Sequence, residues 1–513
     1  MGYAFDSLSV MNNPKKFEGL VETNSDEDSV FRAVNEAACL FQDVGVRVAG
    51  GWVRDKLMGR ASGSDIDMTV TGMPADEFAK VVAKRLGVGE HTIRENPDKS
   101  KHVRTARLNL RTPPISLDFA MARSERYADD SRIPFVSAGT PEEDAMRRDF
   151  TVNALFWRVP NGPVEDFCGG MDDLREKVLR SPIAPEKMFM DDPLRVLRAA
   201  RFAAKLGFWI ETELYRAMGR PDVVSALRAK VSKERIGEEL VKIASCPLPN
   251  MSFNILREVG VFDAILSDAL EGGSVGKLAP LDMGQGVPGR HGLNLWAHSI
   301  ETAAAASRMS DGNPEVVLAA LFHDFGKAAP GVRVDGDEKS SYIGHERPSA
   351  DIVRLFMNHV KAGGNGRAER IASMVRLHMR PHFLHSSGLA GMRRFVRRCC
   401  EEDVSWKDVF LLSEADFVSR GDVDNGPNLF SQTRTRIEIA EAAVQRDRFG
   451  RPKPILDGNE IMDILGIVPG PWMSNLVMVL SDWQDQDPCL SKDEAAERFR
   501  TGFADVTREH ARA

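Results

Sequence analysis

The spacing of apolar residues changes once along this chain, and that change limits the folds open to it. Up to Trp157 they fall in short alternating runs, Val46–Ala49, Asp65–Val70, Thr105–Leu110 and Ile115–Ala120, which read as strands. A helical pattern, Asp76–Leu86, stands between the second and third. From Asp191 onward the spacing is helical, as in Leu194, Leu197, Phe202 and Leu206, and it persists through Ile243 and Phe253–Leu270. Glu271–Arg290 is rich in glycine and proline and reads as a linker. Helical patterns then resume through Arg446, and a proline-punctuated stretch, Arg451–Trp472, precedes a last helix near Lys492–Thr501. The expected class is α+β: a small mixed β-sheet head, an all-α body and a second all-α domain. The expected divisions are a flexible acidic arm at 1–30, the head at 31–180, the body at 181–270 and the linker at 271–290. The second helical domain then takes 291–425 and a helical tail 426–513.

Composition narrows the function classes. At roughly 150 residues per domain, 513 residues make three or four units. No apolar run approaches the roughly 18 residues of a spanning helix, which argues against a membrane protein. Six cysteines, none in a CxxC pair, are too few for a disulfide scaffold and point to a reducing compartment. A net charge of −7 argues against a general polyanion binder and leaves room for a local basic face. Met1–Leu20 lacks an apolar signal core, Glu22–Asp28 is too acidic for a transit peptide, and Asp6 stands where myristoylation wants Ser or Thr. The expected location is the cytoplasm.

The densest chemistry begins at Gly50-Gly51-Trp52-Val53-Arg54. A glycine pair after a strand lets backbone N–H groups approach a phosphate, which Arg54 can also clamp. Asp65-Ile66-Asp67 follows, and on a strand both carboxylates face one side while Ile66 faces the core. Asp118, on a neighbouring strand, supplies a third. Three convergent acids call for cations, and two Mg²⁺ ions serve in-line phosphoryl displacement. Arg147-Arg148-Asp149 suits triphosphate or ribose contacts. Asp192-Pro193-Leu194-Arg195 puts a carboxylate and a guanidinium three apart, on one face if Pro193 opens a helix. Such a pair matches the amine and bare ring nitrogen shared by cytosine and adenine and mismatches uracil and guanine. Taken singly, each feature has a bland counterpart: a tight turn, a solvated strand edge, a surface ion pair.

Taken in order, residues from about Val46 to Leu270 resemble the class II tRNA nucleotidyltransferases, the CCA-adding enzymes of the DNA polymerase beta superfamily. The matching words are Arg47–Arg54 with Asp65-Ile66-Asp67, Asn96–His102, Ser131–Pro134, Arg147–Leu155, Val164–Phe167, Asp191–Phe202 and Ser232–Leu240. The resemblance implies catalytic Asp65, Asp67 and Asp118, the first two holding Mg²⁺. It places Gly50, Gly51, Arg54, Arg147, Arg148 and Asp149 at the triphosphate and ribose, and Asp192 and Arg195 at the base of incoming CTP or ATP. Glu234 and Arg235 match a motif that braces this template. The Arg94–Lys101 loop matches an element needed for the switch to A addition. The tRNA partner would be gripped through its phosphates by Arg228, Lys230 and Lys233 as well.

A second constellation lies past the linker: His298, His323-Asp324, Lys327, His345, His378 and Asp416. Imidazole and carboxylate suit divalent transition metals. The region of about Arg290–Gly421 resembles an HD-domain phosphohydrolase. That implies metal ligands His298, His323, Asp324 and Asp416, with Ni²⁺, Mn²⁺ or Co²⁺ as the ion, and a second metal or phosphate at His345, His378 and Lys327. It also implies hydrolysis of 2′,3′-cyclic phosphates or 2′-nucleotides. His382 and His385 read as exposed histidines. Pro454–Gly458 and Leu465–Pro471 resemble the tails of bacterial members. The leading expectation is template-independent addition of C, C and A to tRNA. The alternatives are a poly(A) polymerase or partial adder, and an HD phosphohydrolase whose head only binds RNA.

Overall fold

The computed structural model describes residues 21–61, 63–89, 93–95, 105–126, 135–284, 294–335, 340–420, 426–448, 454–467, 473–487 and 490–503. The Asn96–His102 and Ser131–Pro134 words lie outside them, as does most of the Arg94–Lys101 loop. The chain forms two compact units, Met1–Asp268 and Ala269–Ala513.

The first unit opens with α1 (Ser25–Ala38), so the arm expected through residue 30 is already helical from Ser25. Its acidic residues are the reason: Asn24 and Glu27 form a capping box, and Asp26, Glu27 and Asp28 sit at the positive end of the helix. There follow β1 (Gly45–Ala49), α2 (Gly51–Leu57), β2 (Asp65–Thr71), α3 (Ala75–Arg85), β3 (Ile93–Glu95), β4 (Ala106–Asn109), β5 (Ser116–Met121), β6 (Arg123–Arg126), β7 (Phe135–Ala138), α4 (Pro141–Met146), β8 (Leu155–Arg158) and β9 (Val164–Asp166). Seven of these strands make one sheet, in the order β3-β4-β5-β2-β1-β8-β9. Only β2 and β5 run parallel, and their register sets Asp67 beside Asp118. The period of two in β2 sends Ile66 and Met68 into the core and leaves Asp65 and Asp67 exposed. Phe78 of α3 covers the core face, its ring 5.8 Å from that of Phe119.

Beyond the sheet come α5 (Gly170–Glu176), β10 (Val178–Leu179), α6 (Pro185–Asp191), α7 (Arg195–Leu206), β11 (Trp209–Ile210), α8 (Thr212–Met218), α9 (Pro221–Lys230), α10 (Lys233–Ala244), α11 (Pro249–Glu258) and α12 (Val261–Leu270). Pro193 does not open a helix bearing Asp192. A proline disfavours the helical region for the residue before it, and Asp192 is extended, at φ −141° and ψ 96°. The helix starts afresh at Arg195, so Asp192 and Arg195 flank a break instead of sharing a helical face.

The second unit is almost wholly helical: α13 (Leu295–Met309), α14 (Pro314–Phe322), a small hairpin of β12 (Val334–Asp335) and β13 (Ser340–Ser341), α15 (Glu346–His359), α16 (Arg367–Leu377), α17 (Leu389–Glu401) and α18 (Trp406–Ser419). α13 buries residues all round, and its run of small residues, Ala303–Ala306, allows helices to pack closely about it. After α19 (Gly426–Arg448), the helices α20 (Gly458–Leu465), α21 (Met473–Gln486) and α22 (Lys492–Gly502) share their own core around Ile461, Leu480 and Phe499.

Candidate functional site

In the first unit a cleft of about 1360 Å³ is lined by Gly50, Asp65, Asp67, Asp118, Arg147, Arg148, Asp149, Asp192, Arg195 and Arg235, among others. The structure thus brings most of the expected head residues to one space. Although the Asp67 residue is exposed to the cleft, the surrounding walls partly desolvate its carboxyl and push it up; Arg148 and Arg107 pull it down, Asp65 adds to the rise, and the balance is upward. Asp118 is raised for the same reasons, burial first. The all-oxygen donor set fits Mg²⁺.

Arg107 is the residue that sequence reasoning missed here. Paired opposite Asp118 in the β4–β5 ladder, it donates to Asp65 Oδ1 at 2.9 Å and lies 3.2 Å from Asp118 Oδ1. The contact follows from the pairing of β4 with β5, which the sequence pattern did not indicate.

Gly50 has φ 77°, and a Cβ there would stand 2.9 Å from Arg148 Nη1 and 3.7 Å from Asp67 Oδ2. Its own N–H donates to Leu155 O at 3.0 Å, so its service is room beside the acid. Arg54, expected at the phosphates, is 2% exposed. It donates to Asp55 at 2.8 Å and to Asn153, under the ring of Phe202.

Asp149 is held by Arg198 at 2.9 Å and by the Asn153 amide at 3.0 Å. Burial would raise its carboxyl, but Arg198 and that hydrogen bond bring it down to about 2. Arg198 lies three residues past Arg195, a spacing that could have revealed it.

The pair expected to read the base is divided. Arg195 is buried and donates to Arg147 O at 2.6 Å and to Met188 O at 3.3 Å. Asp192 instead accepts from Arg235 Nη2 at 2.8 Å. Glu234 lies beside Arg235 in the first turn of α10, which Lys233 opens, and Lys230 closes α9. Arg228, expected at phosphates, is paired with Asp268, its Nε 2.9 Å away.

In the second unit, His298 stands on α13, His323 and Asp324 follow α14, His345 precedes α15, His378 follows α16, and Asp416 is on α18. All six are buried. Asp324 divides its oxygens. Oδ2 lies 3.2 Å from His323 Nε2 and 3.5 Å from His298 Nε2, while Oδ1 lies 2.9 Å from His345 Nε2 and 3.9 Å from His378 Nε2. Asp416 Oδ1 faces His298 at 3.0 Å and His323 at 3.5 Å. Three overlapping groups from this set bring their ligand atoms within 4.8 Å of one another.

The outer nitrogens settle the tautomers. Nδ1 of His323, His345 and His378 faces the carbonyls of Ala320, Tyr342 and Val375 at 2.7, 2.7 and 2.6 Å. Nδ1–H donation there turns each neutral Nε2 lone pair inward, and these buried Nε2 atoms have no hydrogen-bond partner. Lone pairs and carboxylates aimed at one another fit a shared cation. The same carboxylates that would hold a cation draw a proton when none is bound: although burial opposes charge, Asp324 and Asp416 lift His323 to about 9, and both carboxyls are held well below their usual range. His378, buried beside His323, is depressed to about 3. Gly326 permits the close packing, since a Cβ would meet His345 O at 2.1 Å.

Two supports went unread in the sequence. Arg420, four residues past Asp416, donates to its Oδ1 at 3.1 Å. His382 is not exposed as expected but 14% exposed, with Nε2 3.0 Å from Asp416 Oδ2. Its spacing of four from His378 was the missed signal, whereas His385 is exposed. Lys327 Nζ lies 2.6 Å from Asp324 Oδ2. No helix among the described residues is long and apolar enough to cross a membrane.

Comparison with known proteins follows the same division. Residues 46–180 match the poly A polymerase head domain, 207–271 the probable RNA and SrmB-binding site of polymerase A, and 295–403 the HD domain. The mitochondrial CCA tRNA nucleotidyltransferase of Saccharomyces cerevisiae is 38% identical over 51% of this chain and 50% of its own length. The chain spans about half the length of such fungal relatives. The multifunctional CCA protein of Xanthomonas campestris pv. campestris is 33% identical over 69% of this chain and 80% of that protein. A solved CCA-adding enzyme in an apo form shares the fold at a TM-score of 0.60, with 20% identity, covering 94% of this chain and 96% of that one. The chain belongs to the class II tRNA nucleotidyltransferases, in the form that carries an HD domain.

Proposed function

We propose that the head adds C, C and A to the 3′ end of tRNA from CTP and ATP, with no nucleic-acid template, and releases pyrophosphate. One observation carries the reading: a single cleft holds both the Asp65–Asp67–Asp118 face and the divided pair Asp192 and Arg195. Asp65 and Asp67, with Asp118 as third acid, would hold Mg²⁺, which when bound lowers the pKa of the tRNA 3′-hydroxyl and stabilises charge on the phosphate. Arg148, beside Asp67, is placed to meet the triphosphate, and Arg147 and Asp149 the ribose. Arg195, fixed by two carbonyls, presents its remaining donors to the base, and Asp192 accepts from the exocyclic amine once it leaves Arg235. Residues 181–270 form the proposed tRNA-binding body, with Lys230 and Lys233 toward the phosphates.

The second activity proposed is phosphohydrolysis at the HD cluster, in the proposed domain at 291–425, on 2′,3′-cyclic phosphate or 2′-nucleotide ends. The division of Asp324 supports two adjacent cation positions. One would draw on His298, His323, Asp324 and Asp416, the other on Asp324, His345 and His378. Nitrogen and oxygen donors together favour Ni²⁺, Mn²⁺ or Co²⁺, and Lys327 stands ready for the substrate phosphate.

Incubation of the protein with Mg²⁺, a tRNA lacking CCA and labelled nucleotides, singly and in pairs, tests the first activity. Incorporation confined to C, C and A is the expected result. A long A ladder points to a poly(A) polymerase, and no incorporation by folded protein overturns the reading. Hydrolysis of a 2′,3′-cyclic nucleotide with each metal, lost in His323→Ala, tests the second.

A further inference from the structure

Between the base-reading arginine and the catalytic acids lies a carboxylate that belongs to neither. Asp144 sits on α4, its side chain 1% exposed. Spacings of three and four residues bring Arg147 and Arg148 back over it, as one helical turn allows. Arg147 Nε donates to Asp144 Oδ1 at 2.7 Å, while Arg148 donates to Oδ2 from Nη2 at 3.0 Å and from Nε at 3.3 Å. Each oxygen therefore serves one arginine. The helix itself is pinned by a capping box between Thr140 and Glu143.

The two arginines lead in different directions. The carbonyl of Arg147 is the 2.6 Å acceptor that holds the Arg195 guanidinium. Arg148 continues to Asn153 O at 3.2 Å and past Gly50 toward Asp67, whose carboxyl its charge draws down. A charge-assisted, buried hub of this kind fixes both branches, and a change in one is felt in the other through a single residue.

We infer that Asp144 is a positioning residue that couples base recognition at Arg195 to the catalytic face at Asp67, so that a correct base is rewarded in turnover as well as in binding. The inference rests on the proposed nucleotidyl transfer. Asp144 touches neither base nor metal; it acts through Arg147 and Arg148. Asn at this position keeps the shape but removes the charge and turns an N–H group toward one arginine. A misplacement of about 1 Å can cost about 100-fold in rate.

The test is single-nucleotide addition to a tRNA lacking CCA, with CTP and UTP compared in wild type, Asp144→Asn, Arg195→Lys and the double variant. In Asp144→Asn the CTP-over-UTP ratio of kcat/KM should fall about tenfold or more, with kcat for CTP falling further than its KM rises. The double variant should lose about tenfold less than the product of the two single losses. Because discrimination is a ratio, it is read on whatever fraction of the variant folds. An unchanged ratio with equal losses for both nucleotides would mean that Asp144 only supports the fold, and strictly multiplicative losses would sever the coupling. Failure of the wild type to add C at all would instead overturn the proposed reaction.

Discussion

The two acidic centres of this chain solve the same electrostatic problem in opposite ways. In the head, Asp65 and Asp67 are exposed and Asp118 half-exposed, and arginines already stand among them: Arg107 joins two of the acids and Arg148 faces the third. In the HD cluster the carboxylates are buried, and the inward Nε2 atoms of His323, His345 and His378 have no hydrogen-bond partner. A site balanced by arginines in a wide, open cleft is suited to a cation that comes and goes with its substrate. A buried site with lone pairs pointed inward is suited to one that stays. The difference teaches that burial, more than the number of acids, separates an exchanging metal from a resident one.

The largest test of the comparison is loss of the head acid. Asp67→Ala should slow nucleotide addition on the order of 10³-fold, read by single-turnover incorporation, while leaving metal content after gel filtration unchanged. His323→Ala should do the reverse. It should remove most of the tightly bound metal measured by elemental analysis and abolish cyclic-phosphate hydrolysis, with C and A addition retained. Arg420→Ala, which takes away the support behind Asp416, should weaken metal retention about tenfold in a chelator competition.

Smaller effects sharpen the contrast. Asp149, whose carboxyl falls to about 2 against Arg198 and Asn153, stabilises the fold fully above its unfolded pKa of about 3.9. That contribution, about 2 kcal/mol, is lost as pH falls from about 4 through about 2. Asp149→Asn should therefore be less stable at pH 7, in denaturant titrations followed by tryptophan fluorescence, with the gap closing toward pH 2. Removing the cation between Asp65 and Asp118, in Arg107→Ala, should lower the Mg²⁺ concentration needed for half-maximal addition by about threefold. Exposed ion pairs of this kind are worth only about 1 kcal/mol or less.

Much of this was open to reading in the sequence, because the deciding patterns are local. Alternation in Asp65–Val70 foretold which side of β2 the acids take, and helical spacing located α3 and α22 to within a few residues. What stayed hidden depends on partners distant in the chain. Nothing near Arg107 announces that it spans Asp65 and Asp118; Arg235 was expected near the template from the motif resemblance, and the fold adds its partner, Asp192. The acidic run before Val30 misled because its composition suits a solvated arm, yet the same residues make a helix N-terminus. At Asp192 the local rule was available and pointed the other way: the residue before proline resists the helix.

That break between α6 and α7 has a further consequence. Arg195 is anchored to two carbonyls from the first turn of a new helix, whereas Asp192 stands on extended backbone and is held chiefly by the partly exposed Arg235. On the proposed function, the two residues would make a vise with one fixed jaw and one jaw held by an exchangeable ion pair. Cytosine and adenine share an edge but differ in width by a ring. An Asp192 released from Arg235 would close on either, while Arg195 would keep the grip in register with the chemistry.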